Sequence, residues 1–241
     1  MLVDALRSFR RNAFAPRVRP RRGHRLGRPR TAAEALERRD LLSAVTFFQK
    51  FEEVDWTSAG AGGIGNYNGG VATLSVGDVS GEIVAGYLYW QGIDTVGAGG
   101  NGVYDNETVT FDGVQVVGAS LGTGGTGGWG TGGSQAFRAD VTALLRTGVQ
   151  SYSVAGLASK RGHNANGVSL VVVYRDGDLA NDRDLYILNG NHVSGGTGGD
   201  GTWTARVDGL IYRHGDVRAQ LHLADGQSLS DSAVQFNGLP G

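Results

Sequence analysis

Residues 83–90 read Ile83-Val84-Ala85-Gly86-Tyr87-Leu88-Tyr89-Trp90, and residues 168–174 read Val168-Ser169-Leu170-Val171-Val172-Val173-Tyr174. Successive side chains of a strand point to opposite faces. In both stretches the two alternating sets are apolar, so each strand must be covered on both faces and is expected at the centre of a sheet. Working outward, further short runs recur between glycine-rich breaks: Val45–Glu53, Val71–Val76, Glu82–Ile93, Glu107–Phe111, Val114–Val117, Gln135–Ala139, Ser151–Leu157, Val168–Arg175, Arg183–Leu188, Trp203–Leu210, Val217–Leu223 and Ala233–Phe236. No long segment with a 3.6-residue period lies between them. The pattern predicts an all-β fold, an antiparallel β-sandwich of jelly-roll-like type with long glycine-rich loops. Phe111-Asp112-Gly113-Val114 carries the Asp-Gly signal of a two-residue type I′ hairpin. One helical turn is expected at 140–145, with Asp140 as N-cap and Gly148 beyond its end.

Composition narrows the chemistry. The chain has 241 residues, no cysteine, four prolines and 42 glycines. Without cysteine there is no disulfide framework, thiolate nucleophile or Cys-ligated metal. No apolar run approaches the roughly 18 residues of a membrane-spanning helix. The net charge of −1 hides a division. Residues 1–43 carry twelve arginines against Asp4, Glu34, Glu37 and Asp40, a net +8, while residues 44–241 carry ten basic and nineteen acidic residues, a net −9. The first segment repels itself and has little to bury, so residues 1–44 are expected to be a mostly disordered leader with a short helix near 31–43. Residues 45–241 are expected to form one sandwich domain. The ending Phe236-Asn237-Gly238-Leu239-Pro240-Gly241 reads as a turn into further strands, which leaves a C-terminal truncation open.

The leader runs through a helix-forming stretch, capped by Thr31, into Leu36-Glu37-Arg38-Arg39-Asp40-Leu41-Leu42-Ser43-Ala44. This string resembles the LEPR-XLL amino-terminal motif of large exported planctomycete proteins, in which an arginine-rich leader precedes a β-rich extracellular body. Leu36, Glu37, Arg39, Leu41, Leu42, Ser43 and Ala44 match, and Arg38 replaces the proline of the motif. The resemblance implies export or surface sorting, with the export machinery as partner. The body bears a looser resemblance, of order and texture, to a β domain of unknown function in bacterial and archaeal surface proteins. It rests on 85–90, Val109-Thr110-Phe111-Asp112-Gly113, 139–142, 152–154 and 167–174, and brings no catalytic residues with it.

Several motifs look like chemistry. Gly118-Ala119-Ser120-Leu121-Gly122 fits the Gly-x-Ser-x-Gly nucleophile elbow, but a glycine loop follows where the elbow needs a helix. Gly60–Gly65 and Gly97–Gly102 fit Gly-x-Gly-x-x-Gly without opening a helix, so neither can seat a pyrophosphate. The histidines His163, His192, His214 and His222 show no metal spacing and read as solvated or hydrogen-bonded side chains. Lys160-Arg161-Gly162-His163-Asn164 reads as a solvated basic turn. Asn106-Glu107-Thr108 fits the weak N-glycosylation pattern. Asp176, Asp178, Asn181, Asp182 and Asp184 offer five oxygen-bearing side chains in nine residues, the hard ligands that calcium takes. Ala180 and Asn181 stand where an EF-hand loop needs an acid or amide and then glycine, and the competing reading is an acidic turn. Arg175 and Arg183 flank this loop and should reduce its field. Trp129 and Trp203 sit at or near the glycine-rich stretches 123–133 and 195–201, which read either as surface loops with the tryptophan packed back on the sandwich or as an aromatic platform for a sugar or peptide.

These features point to a non-enzymatic exported module, located at the cell surface or outside the cell, of structural or adhesive type. No cofactor is required, with calcium as the one alternative. The partner expected outside the cell is an envelope polymer or glycan. The competing reading is a carbohydrate-binding module using the tryptophans and calcium. Nucleic acid, bound through the arginine leader, is not the expected partner.

Overall fold

A computed structural model of the chain describes residues 45–64, 69–126, 130–193 and 217–224, and the backbone of 235–236 and 239–240. The strands are β1 (Thr46–Gly62), β2 (Ala72–Val79), β3 (Glu82–Thr95), β4 (Thr108–Phe111), β5 (Val114–Val117), β6 (Ala119–Gly124), β7 (Gly132–Asp140), β8 (Gly148–Ala155), β9 (Ser159–Lys160), β10 (His163–Arg175), β11 (Arg183–Asn189) and a short terminal pair, β12 (Gln235–Phe236) and β13 (Leu239–Pro240). The larger sheet has the order β11-β1-β10-β3-β7-β6, with β9 also on β10, and the smaller one β2-β8-β4-β5. All their pairings are antiparallel. The fold is therefore the expected all-β antiparallel sandwich, its sheets curled into a half-barrel.

The two stretches that decided the fold are neighbouring central strands. In the β3–β10 register Leu88 lies opposite Leu170 and Trp90 opposite Val168, while Tyr87 lies opposite Val171 and Ala85 opposite Val173. The first set enters the main core, where it meets Leu74, Val76, Val109, Phe111, Tyr152 and Val154 of the smaller sheet. Trp90 stacks on Phe137 with ring centroids 5.6 Å apart, and Phe111 stacks on Tyr152 at 5.1 Å. The second set faces away from the smaller sheet and is covered differently. The first half of β1 pairs with β11, and the second half pairs with β10. Between them the β1–β11 register slips from Phe51 to Val54, and Glu53 takes a φ of 52°. This bulge bends the strand. The ribbon made by the first half of β1 with β11 then lays Phe48, Phe51, Val54, Leu185 and Ile187 against Ala85, Tyr87, Val171 and Val173. One sheet thus closes over its own outer face, which explains why both faces of β3 and β10 are apolar.

Local signals fare well where they are geometric. Phe111 pairs with Val114, and Asp112 and Gly113 take φ of 47° and 85°, both positive as a type I′ turn requires. The turn after β7 is a single 3-10 turn, Thr142–Leu144, whose N-cap is Val141 rather than the expected Asp140; Asp140 stands one residue earlier, and its Oδ1 accepts from both the amide and the hydroxyl of Thr142. Two further expectations are corrected. Val217–Leu223 forms no strand: Val217, Leu221 and Leu223 stay exposed, because alternation without a partner strand builds no ladder. The stretch 119–124, which lies outside the expected strands and runs into the expected glycine loop at Thr123, is edge strand β6, whose small residues contribute backbone pairing to β7 rather than a hydrophobic face. The basic turn expected at 160–164 is present, closing the pairing of β9 with β10, His163 with Lys160 and Asn164 with Ser159. The leader, its helix and motif, and Trp203–Leu210 lie outside the described residues. No helix of the described residues is long and apolar enough to cross a membrane.

Candidate functional site

The bend in β1 places an acidic residue where sequence order would not. Asp55 is the first residue of β1 to pair with β10, opposite Tyr174. Asp176 follows the end of β10, and Asp182 precedes the start of β11. The connection between β10 and β11 passes beside the bend, and ligand oxygens of Asp55, Asp176 and Asp182 lie within 4.8 Å of one another. Asn181 joins them through a hydrogen bond from its Nδ2 to Asp176 Oδ2 at 3.0 Å. Three of the five side chains expected to act together therefore do so, and a fourth member, Asp55, comes from 121 positions before Asp176. The signal for Asp55 was its type: aspartate is depleted in strands, and here it sits within one.

The other two members of the expected set are spent elsewhere. Asp178 Oδ1 accepts from the Ala180 amide at 3.0 Å and shapes the loop. Asp184 pairs with Lys50 at 3.0 Å on the β1–β11 ribbon. The flanking arginines make no ion pair with the cluster, although the charge of Arg183 offsets part of the field at Asp55 as expected. Arg183 donates to the carbonyls of Asn181 and Asp182, and Arg175 to those of Glu52 and Glu53. Among the described residues no ion pair joins Asp55, Asp176 or Asp182 to a base. The electrostatics follow. Burial, and then the charges of Asp176 and Asp182, hold the Asp55 carboxyl above the usual carboxylate range. The Asp178 amide, and then the Asn181 side chain, hold Asp176 below it.

A second polar group lies at the far end of β3. Asp94 is 2% exposed and is held by His163 Nδ1 at 2.7 Å and by the Gly102 amide. The other ring nitrogen of His163 faces Asp105 at 3.6 Å, and the ring lies beside Tyr104. A buried carboxylate orienting an imidazole has the form of a catalytic pair. Its hydrogen bonds fasten the loop: Asp94 and His163 tie 96–105 to the turn before β10, alongside a bond from Thr95 N to Gly162 O. Ser120, of the elbow-like motif, lies on the exposed edge strand β6. Its hydroxyl accepts from Gln135 Nε2 and from the Gly122 amide, and no helix follows. The first Gly-x-Gly-x-x-Gly match begins inside β1 and the second lies in the loop over Asp94, and among the described residues neither opens a helix. Asn106 is a structural junction. Its Oδ1 accepts from Tyr104 Oη and the Ala158 amide, its Nδ2 donates to the carbonyls of Thr108 and Gly156, and its own carbonyl accepts from Trp90 Nε1. A glycan on Nδ2 would break this junction.

Trp129, Trp203 and the motif residues Leu36, Glu37, Arg39, Leu41, Leu42 and Ser43 lie outside the described residues. Comparisons of this chain with protein families, curated proteins and solved structures found no match.

Proposed function

We propose that the chain is an exported, non-enzymatic module of a cell surface or extracellular matrix, of structural or adhesive type. The observation that carries the reading is the junction in the sequence. An arginine-rich leader ending in a LEPR-XLL-like string, net +8, passes into a cysteine-free body, net −9, that folds as an antiparallel sandwich. The body supports it further. Its elbow-like serine and its Asp94–His163 pair are each engaged in holding strands and loops, as described above. A sandwich closed over its own outer face is a robust display scaffold, with loops free to vary at its ends. The fold class alone names no function, so the address is what must be tested.

The test is amino-terminal sequencing and intact mass of the protein from its native cells, after fractionation. The expected result is a mature chain beginning near Ala44, recovered from the envelope or the medium. A full-length chain recovered from the cytoplasm overturns the proposal and makes the arginine segment, with nucleic acid as its partner, the first thing to study.

A further inference from the structure

The acidic cluster at the β1 bend has a feature that charge alone does not explain. Asp55 Oδ2, Asn181 Oδ1 and Asp182 Oδ1 are sealed from solvent, and none has a hydrogen-bond partner. A buried oxygen without a donor forfeits its hydration with nothing in return. Three of them from neighbouring side chains, two being carboxylates, compound that penalty with like-charge repulsion. All three residues belong to one corner: Asp55 on the bent strand, Asn181 and Asp182 in the connection that passes it. Acceptors gathered without donors are satisfied together by a cation.

We propose that Asp55, Asp176 and Asp182, with the amide oxygen of Asn181, bind one calcium ion, which fastens the bend of β1 to the β10–β11 connection. The donors are all oxygen, as a hard divalent cation requires, and they come from separate segments. Calcium binds oxygen at about 2.3–2.6 Å, so two of its ligands stand at most about 5 Å apart. The three carboxylate oxygens, within 4.8 Å of one another, fit one such sphere. Magnesium holds its ligands at about 2.0–2.1 Å in a rigid octahedron and keeps most of its water, which suits a spread and partly sealed set less well. The ion would replace the missing donors and cancel the repulsion across the joint. The site does not depend on where the protein resides, so its test is independent of the export test.

The experiment is calorimetric titration of the full chain, stripped with EDTA and dialysed, with calcium chloride and separately with magnesium chloride. Thermal melts in calcium and in EDTA accompany it. The expected result is one calcium per chain, weaker magnesium binding and a melting temperature raised by calcium. Asp55→Asn and Asp182→Asn should each weaken calcium binding at least tenfold and remove the calcium-dependent rise. Asp178→Asn and Asp184→Asn should leave both unchanged. Because Asp55→Asn removes a repelling charge, it should melt in EDTA no lower than the parent. If Asp55→Asn does not fold, Asp182→Asn decides by the same readout. No calcium binding at millimolar concentration, or binding unchanged in both variants, overturns the proposal.

Discussion

Tyr104 shows how one side chain can report the state of a whole corner. It is 1% exposed, donates its hydroxyl to Asn106 Oδ1 at 3.0 Å and lies beside His163. Burial, reinforced by the charge of Asp105, pushes its phenol well above the ordinary tyrosine value of 10.0. In the unfolded chain the phenol titrates normally. Its contribution to stability is therefore complete below about pH 10 and is lost as pH rises toward the folded value, at up to about 1.4 kcal/mol per pH unit. Tyr87, Tyr89 and Tyr174 are displaced in the same direction, so alkaline weakening of the parent is a sum. The difference between the parent and Tyr104→Phe isolates one member. Urea denaturation at a series of pH values should show Tyr104→Phe weaker by about 1 kcal/mol at neutral pH, for the lost hydrogen bond. That gap should narrow and then reverse above pH 10. Parallel curves across the alkaline range would contradict the assignment.

At the scale of elements, β1 carries the most information that the sequence concealed. The run Val45–Glu53 was legible as a strand, and the strand does end its first pairing near there. What was hidden is that the chain continues, after a one-residue slip, as a second strand with a different neighbour. The hydrophobic period marks which residues are buried, but not which partner buries them. Edge strand β6 was hidden for a related reason. Backbone pairing alone sustains it, and pairing leaves little trace in side-chain type. The bend itself makes a prediction. Glu53 holds a φ of 52°, where a side chain costs about 1–2 kcal/mol relative to glycine. Its side chain is exposed, while the bend is tied by its carbonyl, which accepts from Arg175. Glu53→Gly should therefore raise stability by about 1 kcal/mol, and the β-branched Glu53→Val should lower it. Chemical denaturation of the pair measures both. A destabilised Glu53→Gly would mean that the glutamate side chain, rather than the backbone, holds the bend.

At the scale of the whole molecule, the sandwich was legible because its two central strands declare burial on both faces and the Asp112-Gly113 turn declares its own backbone. The acidic cluster was half legible. Asp176, Asn181 and Asp182 are close in sequence, but Asp55 reaches them only through a bend that no local pattern encodes. The division of charge was fully legible, and it leads to a test of independence. Both core clusters draw on strands between residues 51 and 187 among the described residues, and the cover of the outer face begins with β1 at Thr46. A chain of residues 44–241 should therefore retain the cooperative unfolding transition of the full chain, with its denaturant slope, because that slope follows the surface exposed on unfolding. Its net charge should fall from −1 to −9, so it should be retained by an anion exchanger at a salt concentration that releases the parent. Expression of the two chains, urea denaturation and ion-exchange elution test this together. A fragment that binds the exchanger but unfolds without cooperativity would show that the basic segment contributes to the fold as well as to the charge.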